Sequence, residues 1–366
     1  MATALQQIPD GIEVVETSNQ ATLNHIPPLL IIDNVIAFLD SHGLGSGPLS
    51  WKRIGEGQSN VTYLLERDGE RFVLRRGPRP PLPKSTHDML REAKIQQLVG
   101  PQGVPVPEIL AVCSDESVLG VPFYVMNYLE GEVITDDFSG QLASAQNKRD
   151  LGRVLVDTLL LLHDVDTTKP GISELGRPVG YLERQVQRFG ALWDVNSKRN
   201  IPEVAHIAEV LGQNVPETQK HCLVHGDFRI GNLMFAPDSP LTVEAVLDWE
   251  MATLGDPLAD LGYMVATYAT ADSRPNIMEL TTVTRQPGFW GRDDLVNYYA
   301  EHSGLDTSAL PWYAALALWK SAIFCEAIYS RWLDGERPDD ESFGTMLENG
   351  VPELLDQAMG YLDDIN

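Results

Sequence analysis

Apolar residues recur along this chain with two periods, and the change from one to the other divides it. After Pro28, the positions Leu29, Leu30, Ile32, Ile36, Phe38 and Leu39 fit one face of a helix that ends at His42-Gly43, where glycine supplies the usual stop. Trp51 to Ile54, Val61 to Leu65 and Arg71 to Arg75 read as short strands, the last two joined by the turn Asp68-Gly69. Ser85 to Asp88 opens a helix, with Ser85 and Asp88 at capping-box spacing and Leu90, Ala93, Gln97 and Leu98 on its inner face. Residues 105–112 and 122–129 add two strands, and Glu130-Gly131 reads as a hinge. Beyond it the period is helical: Leu151, Leu155, Thr158, Leu159 and Leu162, then residues 181–193 and 201–211. The stretch from Trp312 to Leu333 is apolar almost all round, as in a buried helix.

Strands followed by helices predict an α+β fold with two lobes, a small antiparallel-sheet N-lobe and a larger, mainly helical C-lobe. Residues 1–26 are polar, acidic and aperiodic, so a flexible extension is expected there, with lobes over 27–130 and 131–366. A length of 366 residues suffices for two such cores.

Charge narrows the function. With 27 basic against 52 acidic residues, the net charge of −25 opposes nucleic acid or an anionic membrane as partner. Met1 to Gln20 has neither a basic nor an apolar leader segment, and nowhere do about 18 apolar residues run together. A soluble, cytoplasmic protein is expected, and its three widely spaced cysteines fit buried thiols in a reducing compartment.

The chemistry concentrates in His221 to Phe235 and in Val246 to Glu250. Leu223-Val224 enters as a strand, Gly226 breaks it, and Asp227 and Asn232 then project from one loop; Asp248 follows a second apolar run. A carboxylate to accept a hydroxyl proton, plus an amide and a second carboxylate for hard cations, is what phosphoryl transfer from a magnesium nucleotide requires. The spacing H-x-D-x-x-x-x-N followed by a strand-borne Asp matches the kinase catalytic loop, except that Gly226 replaces Arg and Asp248-Trp249-Glu250 replaces D-F-G. Both changes point away from protein kinases. Upstream, Gly55 and Gly57 would let backbone approach phosphates, with Ser59 and Asn60 as donors; a plain hairpin turn is the alternative.

In these motifs, over roughly residues 48 to 335, the chain resembles the aminoglycoside-phosphotransferase and choline-kinase-like family of small-molecule kinases. It is most similar to the subset found alone in bacteria or fused to acyl-CoA dehydrogenases. The resemblance implies a protein-kinase-like bilobal fold, ATP and Mg2+ as cofactors, and a small-molecule hydroxyl acceptor. It implies Asp227 as the catalytic carboxylate and Asn232 and Asp248 as metal ligands. Arg75 takes the place of the phosphate-gripping lysine, with Glu92 pairing it unless Glu92 lies on a solvated helix face; the Arg-for-Lys exchange is a departure, because the two are not interchangeable. Backbone groups of Asn127, Tyr128 and Leu129 would meet adenine, and Met126 and Tyr128 would flank it or serve as core.

Other roles follow the same resemblance. Asp260 would brace the catalytic loop, and Asp256 would do the same or cap the helix from Pro257. His163 would pack or cap a helix end, and His225 would buttress the loop. Lys320, Glu326 and Arg331 would pair in the core or recognise the acceptor. A polycation suits the acidic C-lobe; a hydroxyacyl-CoA-like or other anionic hydroxyl compound would call on Arg76, Arg79 and Lys84. The alternative to an enzyme is a nucleotide-binding pseudokinase or scaffold without turnover.

Overall fold

A computed structural model of the chain describes residues 7–8, 11–55, 60–80, 88–136, 144–237, 241–335 and 341–365, with side chains from Glu13 onward except 341–343. Two compact units form: Met1–Pro101 with Pro105–Glu130, and Gln102–Val104 with Gly131–Asn366. No helix among the described residues is long and apolar enough to cross a membrane.

The first unit begins with an antiparallel pair, β1 (Gln7–Ile8) and β2 (Gly11–Ile12). Then come β3 (Val14–Val15), the short α1 (Ser18–Ala21) and β4 (Leu30–Ile31), with β3 and β4 parallel. Around Glu13 to Val15 the chain is packed, which the expectation of a flexible extension over 1–26 did not foresee; residues 1–6 and 9–10 lie outside the described residues. Val14 and Val15 are 1% exposed, and Glu13 is fully buried. The carbonyl of Glu13 accepts from Leu29 N (2.7 Å), and its carboxylate accepts from Tyr63 Oη (2.6 Å). Burial, then that carboxylate, pushes the Tyr63 hydroxyl far above the ordinary phenol range. The following helix, α2 (Ile32–Ser41), begins three residues later than its apolar pattern suggested, because Leu30 and Ile31 are spent on strand pairing.

β5 (Ser50–Ile54), β6 (Val61–Arg67), β7 (Glu70–Arg76), β8 (Ile109–Cys113) and β9 (Phe123–Asn127) form one antiparallel sheet in the order β5-β6-β7-β9-β8. Asp68 (φ 49°) and Gly69 (φ 84°) make the β6–β7 turn, the double positive φ that matches strand twist in a two-residue hairpin. Tyr63, Leu65, Leu74, Phe123 and Val125 share a core with Val35 and Leu39 of α2. On the other face α3 (Met89–Val99) packs Met89 and Ala93 against Tyr124. Asp88 is itself the N-cap of α3, accepting from Arg91 N at 3.0 Å, so the capping-box register was misplaced; Ser85 lies outside the described residues. The inner face is instead Met89, Glu92, Ala93, Gln96 and Val99, while Gln97 is exposed. A four-residue helix, α4 (Glu116–Leu119), precedes β9.

The second unit opens with β10 (Glu132–Val133) and α5 (Ala145–His163), capped by Ser144 and buried along Leu151, Leu155, Thr158, Leu159 and Leu162 as its spacing required. α6 (Tyr181–Asn196) and α7 (Pro202–Gln213) follow. β11 (Cys222–Val224) leads into a hairpin of β12 (Leu233–Phe235) and β13 (Val243–Val246), and then β14 (Thr253–Gly255) returns antiparallel to β11. α8 (Pro257–Thr267), α9 (Arg292–Ser303), α10 (Leu310–Leu333) and α11 (Glu341–Asp363) complete it. α10 is the buried helix expected from its composition. Its Trp312 and Trp319 each donate an indole N–H to an α7 carbonyl at 3.1 Å, which lets two large polar-tipped rings lie inside. Of its charged residues, Glu326 is 1% exposed and pairs with Arg199, while Arg331 is exposed instead of buried. Lys320 sits 4.7 Å over the Phe189 ring, and burial pulls its amine down to about 8.

Candidate active site

In the second unit one short loop gathers the polar groups, and its backbone explains how. After β11 the chain turns at Gly226 (φ 86°); a Cβ there would lie 2.8 Å from Cβ of Met251, so conformation and space both demand glycine. The turn aims the amides of His225 and Gly226 at the carboxylate of Asp260, each at 2.7 Å. Asp260 is 1% exposed at the first turn of α8 and also meets His163 Nε2 at 3.3 Å, while His163 Nδ1 meets Tyr299 Oη at 2.8 Å. Asp256 caps α8 through Leu258 N (2.9 Å) and accepts from Tyr313 Oη (3.0 Å); burial raises its carboxyl above the usual range.

His225 is fully buried and committed at both ring nitrogens. Nδ1 accepts from Asp227 N (3.3 Å), so Nε2 carries the proton and donates to Leu247 O (3.0 Å). The ring thus ties the loop to the residue before Asp248 and is not placed to take a proton from a ligand.

The Asn232 amide donates to Asp227 twice, to the backbone carbonyl at 2.7 Å and to Oδ2 at 2.8 Å. The Leu233↔Val246 pairing puts Asn232 across from Leu247, and Leu247 N donates to Asn232 O at 2.8 Å. Asp248 follows immediately in a left-handed conformation (φ 64°, ψ 67°), a strained state for a residue with a side chain. Asp227, Asn232 and Asp248 are therefore delivered by one hairpin and the loop it faces. Tyr263 of α8 lies beside Asp227; burial, then that neighbouring charge, drives its hydroxyl well above the phenol range.

Three residues that sequence reasoning passed over, Arg229, Tyr268 and Thr281, complete this region. Arg229 Nε stands 3.6 Å from Asp227 Oδ1, too far for a hydrogen bond, and both atoms are buried without a hydrogen-bond partner. Beside them is a small recess lined by Leu155, Arg229, Ile230, Met264 and Thr281 among others. Thr281 Oγ1 and Tyr268 Oη, also on its wall, are likewise buried and unpartnered. Arg229 was visible inside the H-G-D-F-R run; Tyr268 and Thr281 carried no motif, because they arrive from a loop after α8. That loop is fastened by Glu279, which pairs with Arg285 and Arg292.

In the first unit, Arg75 Nε meets Glu92 Oε1 at 2.9 Å, and Glu92 Oε1 also accepts from Tyr124 Oη at 3.0 Å. Glu92 is 2% exposed, which removes the solvated-face alternative. Arg76 points to the opposite face, fully buried against Leu119 O and Gly77 O, and burial lowers its guanidinium to about 10. It is a structural arginine and is not free to meet an anionic acceptor. Gly55 has φ 76° with open space around it, and Asn60 is 5% exposed; Gly57 and Ser59 lie outside the described residues. Asn127 spends its backbone N–H on Glu108 O (3.0 Å) and its side-chain oxygen on Glu108 N (2.8 Å), so the Asn127 amide does not face a ligand. Tyr128 is covered by the Arg71 guanidinium, 4.3 Å from its ring, and Leu129 is half-buried beside it.

An antiparallel-sheet unit followed by a helical unit that carries an H-x-D-x-x-x-x-N loop defines a protein-kinase-like fold of the small-molecule phosphotransferase class. The model of the phosphotransferase enzyme family (APH) matches residues 50–291, and the chain belongs to that family. It is 33% identical over 336 residues to acyl-CoA dehydrogenase family member 11 of Rattus norvegicus, covering 90% of this chain and 43% of that protein. The chain thus spans less than half the length of that relative. A crystal structure from Ralstonia eutropha, provisionally described as an aminoglycoside phosphotransferase, is 25% identical with a TM-score of 0.74, covering 90% of this chain and 98% of the other. Spectinomycin phosphotransferase APH(9)-Ia, solved with ADP and spectinomycin, is 12% identical with a TM-score of 0.55 over 89% of this chain and 98% of its own, a likeness of fold.

Proposed function

We propose that the chain is an ATP-dependent kinase that moves the γ-phosphate to a hydroxyl of a small molecule. The observation that carries this is Asp227: its Oδ2 is clamped by Asn232, its loop is braced by Asp260, and its Oδ1 is buried with no hydrogen-bond partner. A carboxylate held this way is built to accept the acceptor's hydroxyl proton as the new P–O bond forms.

Asn232 and Asp248 supply an amide oxygen and a carboxylate, the hard donors that suit Mg2+. Bound magnesium nucleotide would supply the transferable phosphoryl group and neutralise its charge. Arg75, oriented by Glu92, would hold the α- and β-phosphates, with Gly55, Gly57, Ser59 and Asn60 covering them, and the Tyr128-Leu129 backbone would meet adenine. The family and the ADP complex of the spectinomycin enzyme support the nucleotide assignment. The acyl-CoA dehydrogenase names of the relatives favour an anionic hydroxyl acceptor over a polycation.

ADP release across a panel of hydroxyl compounds, with and without Mg2+, tests the reading. Acceptor-stimulated ADP formation that needs Mg2+ and vanishes in Asp227→Asn is the expected result. Nucleotide binding with no turnover on any acceptor would replace the kinase with a pseudokinase.

A further inference from the structure

We infer that Arg229 is a specificity-determining residue that selects acceptors carrying a carbonyl or carboxylate oxygen close to the reacting hydroxyl, and rejects those carrying an ammonium there. The inference rests on the phosphotransferase reading of Asp227, whose neighbourhood it concerns. An ideal Cβ on Gly231 would fall 2.1 Å from Arg229 Nη1 and 3.2 Å from Thr281 Oγ1, so guanidinium and hydroxyl converge over that glycine. Arg229 Nε, Asp227 Oδ1, Thr281 Oγ1 and Tyr268 Oη are four buried polar atoms without hydrogen-bond partners, three of them on residues lining one recess. Buried polar groups are ordinarily satisfied, and a concentration of exceptions around one opening marks where a ligand's own groups complete the set.

The recess has room for about one water-sized group, enough for a single oxygen of a ligand. Its remaining walls, Leu155, Ile230, Met264, Thr267, Met278 and Leu280, are uncharged. Arg229 is therefore the cation that an entering group meets beside Asp227. An oxygen acceptor gains a charge-assisted bond there, whereas an ammonium is repelled and leaves Arg229 Nε desolvated. This local preference opposes the chain's net charge of −25, which on its own would favour amines.

Three compounds matched in length separate the two influences: 3-hydroxypropionate, 1,3-propanediol and 3-aminopropanol, with binding to the full chain followed by ligand-observed NMR without nucleotide. The hydroxy acid should bind about 10-fold tighter than the amino alcohol, the value of one hydrogen bond to a charged group. Arg229→Gln should bring that ratio to about 1 or invert it, and Arg229→Lys should keep part of it. Because the ratio is taken within each variant, a lower folded fraction does not alter it. A wild-type preference for the amino alcohol, no binding of the hydroxy acid, or an unchanged ratio in Arg229→Gln would overturn the proposal. With nucleotide omitted, the ratio is read whether or not phosphate is transferred, so its failure is distinct from failure of the ADP-release assay.

Discussion

Among the described residues, two of the arginine–carboxylate pairs face opposite tasks. In the sheet unit Arg75 and Glu92 meet as an ion pair at 2.9 Å, and Tyr124, itself bonded by Gln96, donates a hydrogen bond to the same carboxylate oxygen. In the helical unit Arg229 and Asp227 stop at 3.6 Å, and among the described residues no third side chain donates to the facing carboxylate oxygen of Asp227. The first pair is closed, so its geometry is fixed before any ligand arrives. The second is open, with desolvation already imposed and the compensating bonds still to be made. Closure suits a residue that must orient; openness suits one that must react or recognise.

That contrast can be broken from either side. The largest effect should come from the open pair: Asp227→Asn is expected to slow acceptor phosphorylation by about 100-fold or more in steady-state assays. Its melting temperature should barely move, because Asn keeps the shape and the open side held no bond. The closed pair should respond the other way. Glu92→Ala strands a buried guanidinium and the Tyr124 hydroxyl, costing about 3 kcal/mol in a denaturant titration. Gly226→Ala should cost about 2 kcal/mol by the same titration, combining left-handed strain with the clash at Met251.

Lys320 offers the smallest and most pH-specific effect. Its amine titrates near 8 in the folded chain against 10.5 when unfolded, so between those values the unfolded chain binds more protons and stability rises with pH. Lys320→Met should flatten that rise and add about 1 kcal/mol or less at neutral pH, the side chain being partly exposed. Melting curves from pH 7 to 10 would show it.

The loop was legible in the sequence because its chemistry is local: His225, Gly226, Asp227 and Asn232 are bound by spacing, and the hairpin that presents Asp248 follows at once. Arg75 and Glu92 were also legible, through strand alternation and helical position. The face of α3 was misjudged because two polar residues, Glu92 and Gln96, turn inward to meet Arg75 and Tyr124, which an apolar periodicity does not register. The apolar start of α2 misled for another reason: Leu30 and Ile31 are hydrophobic for the sake of a strand partner more than a dozen residues upstream. The recess was beyond reading, because Arg229, Tyr268 and Thr281 meet only after α8 has packed on α10, and no periodicity encodes that meeting.

Glu13 gives a practical rule for handling this molecule. Its carbonyl holds Leu29 and Leu30 while its side chain reaches the Tyr63 hydroxyl, so the early residues are stitched into the sheet's own interior. A recombinant version trimmed to begin at residue 27 would expose Leu30 and Val35 and leave a tyrosine hydroxyl stranded in oil. Cloning boundaries, affinity tags and cleavage sites therefore belong upstream of Glu13.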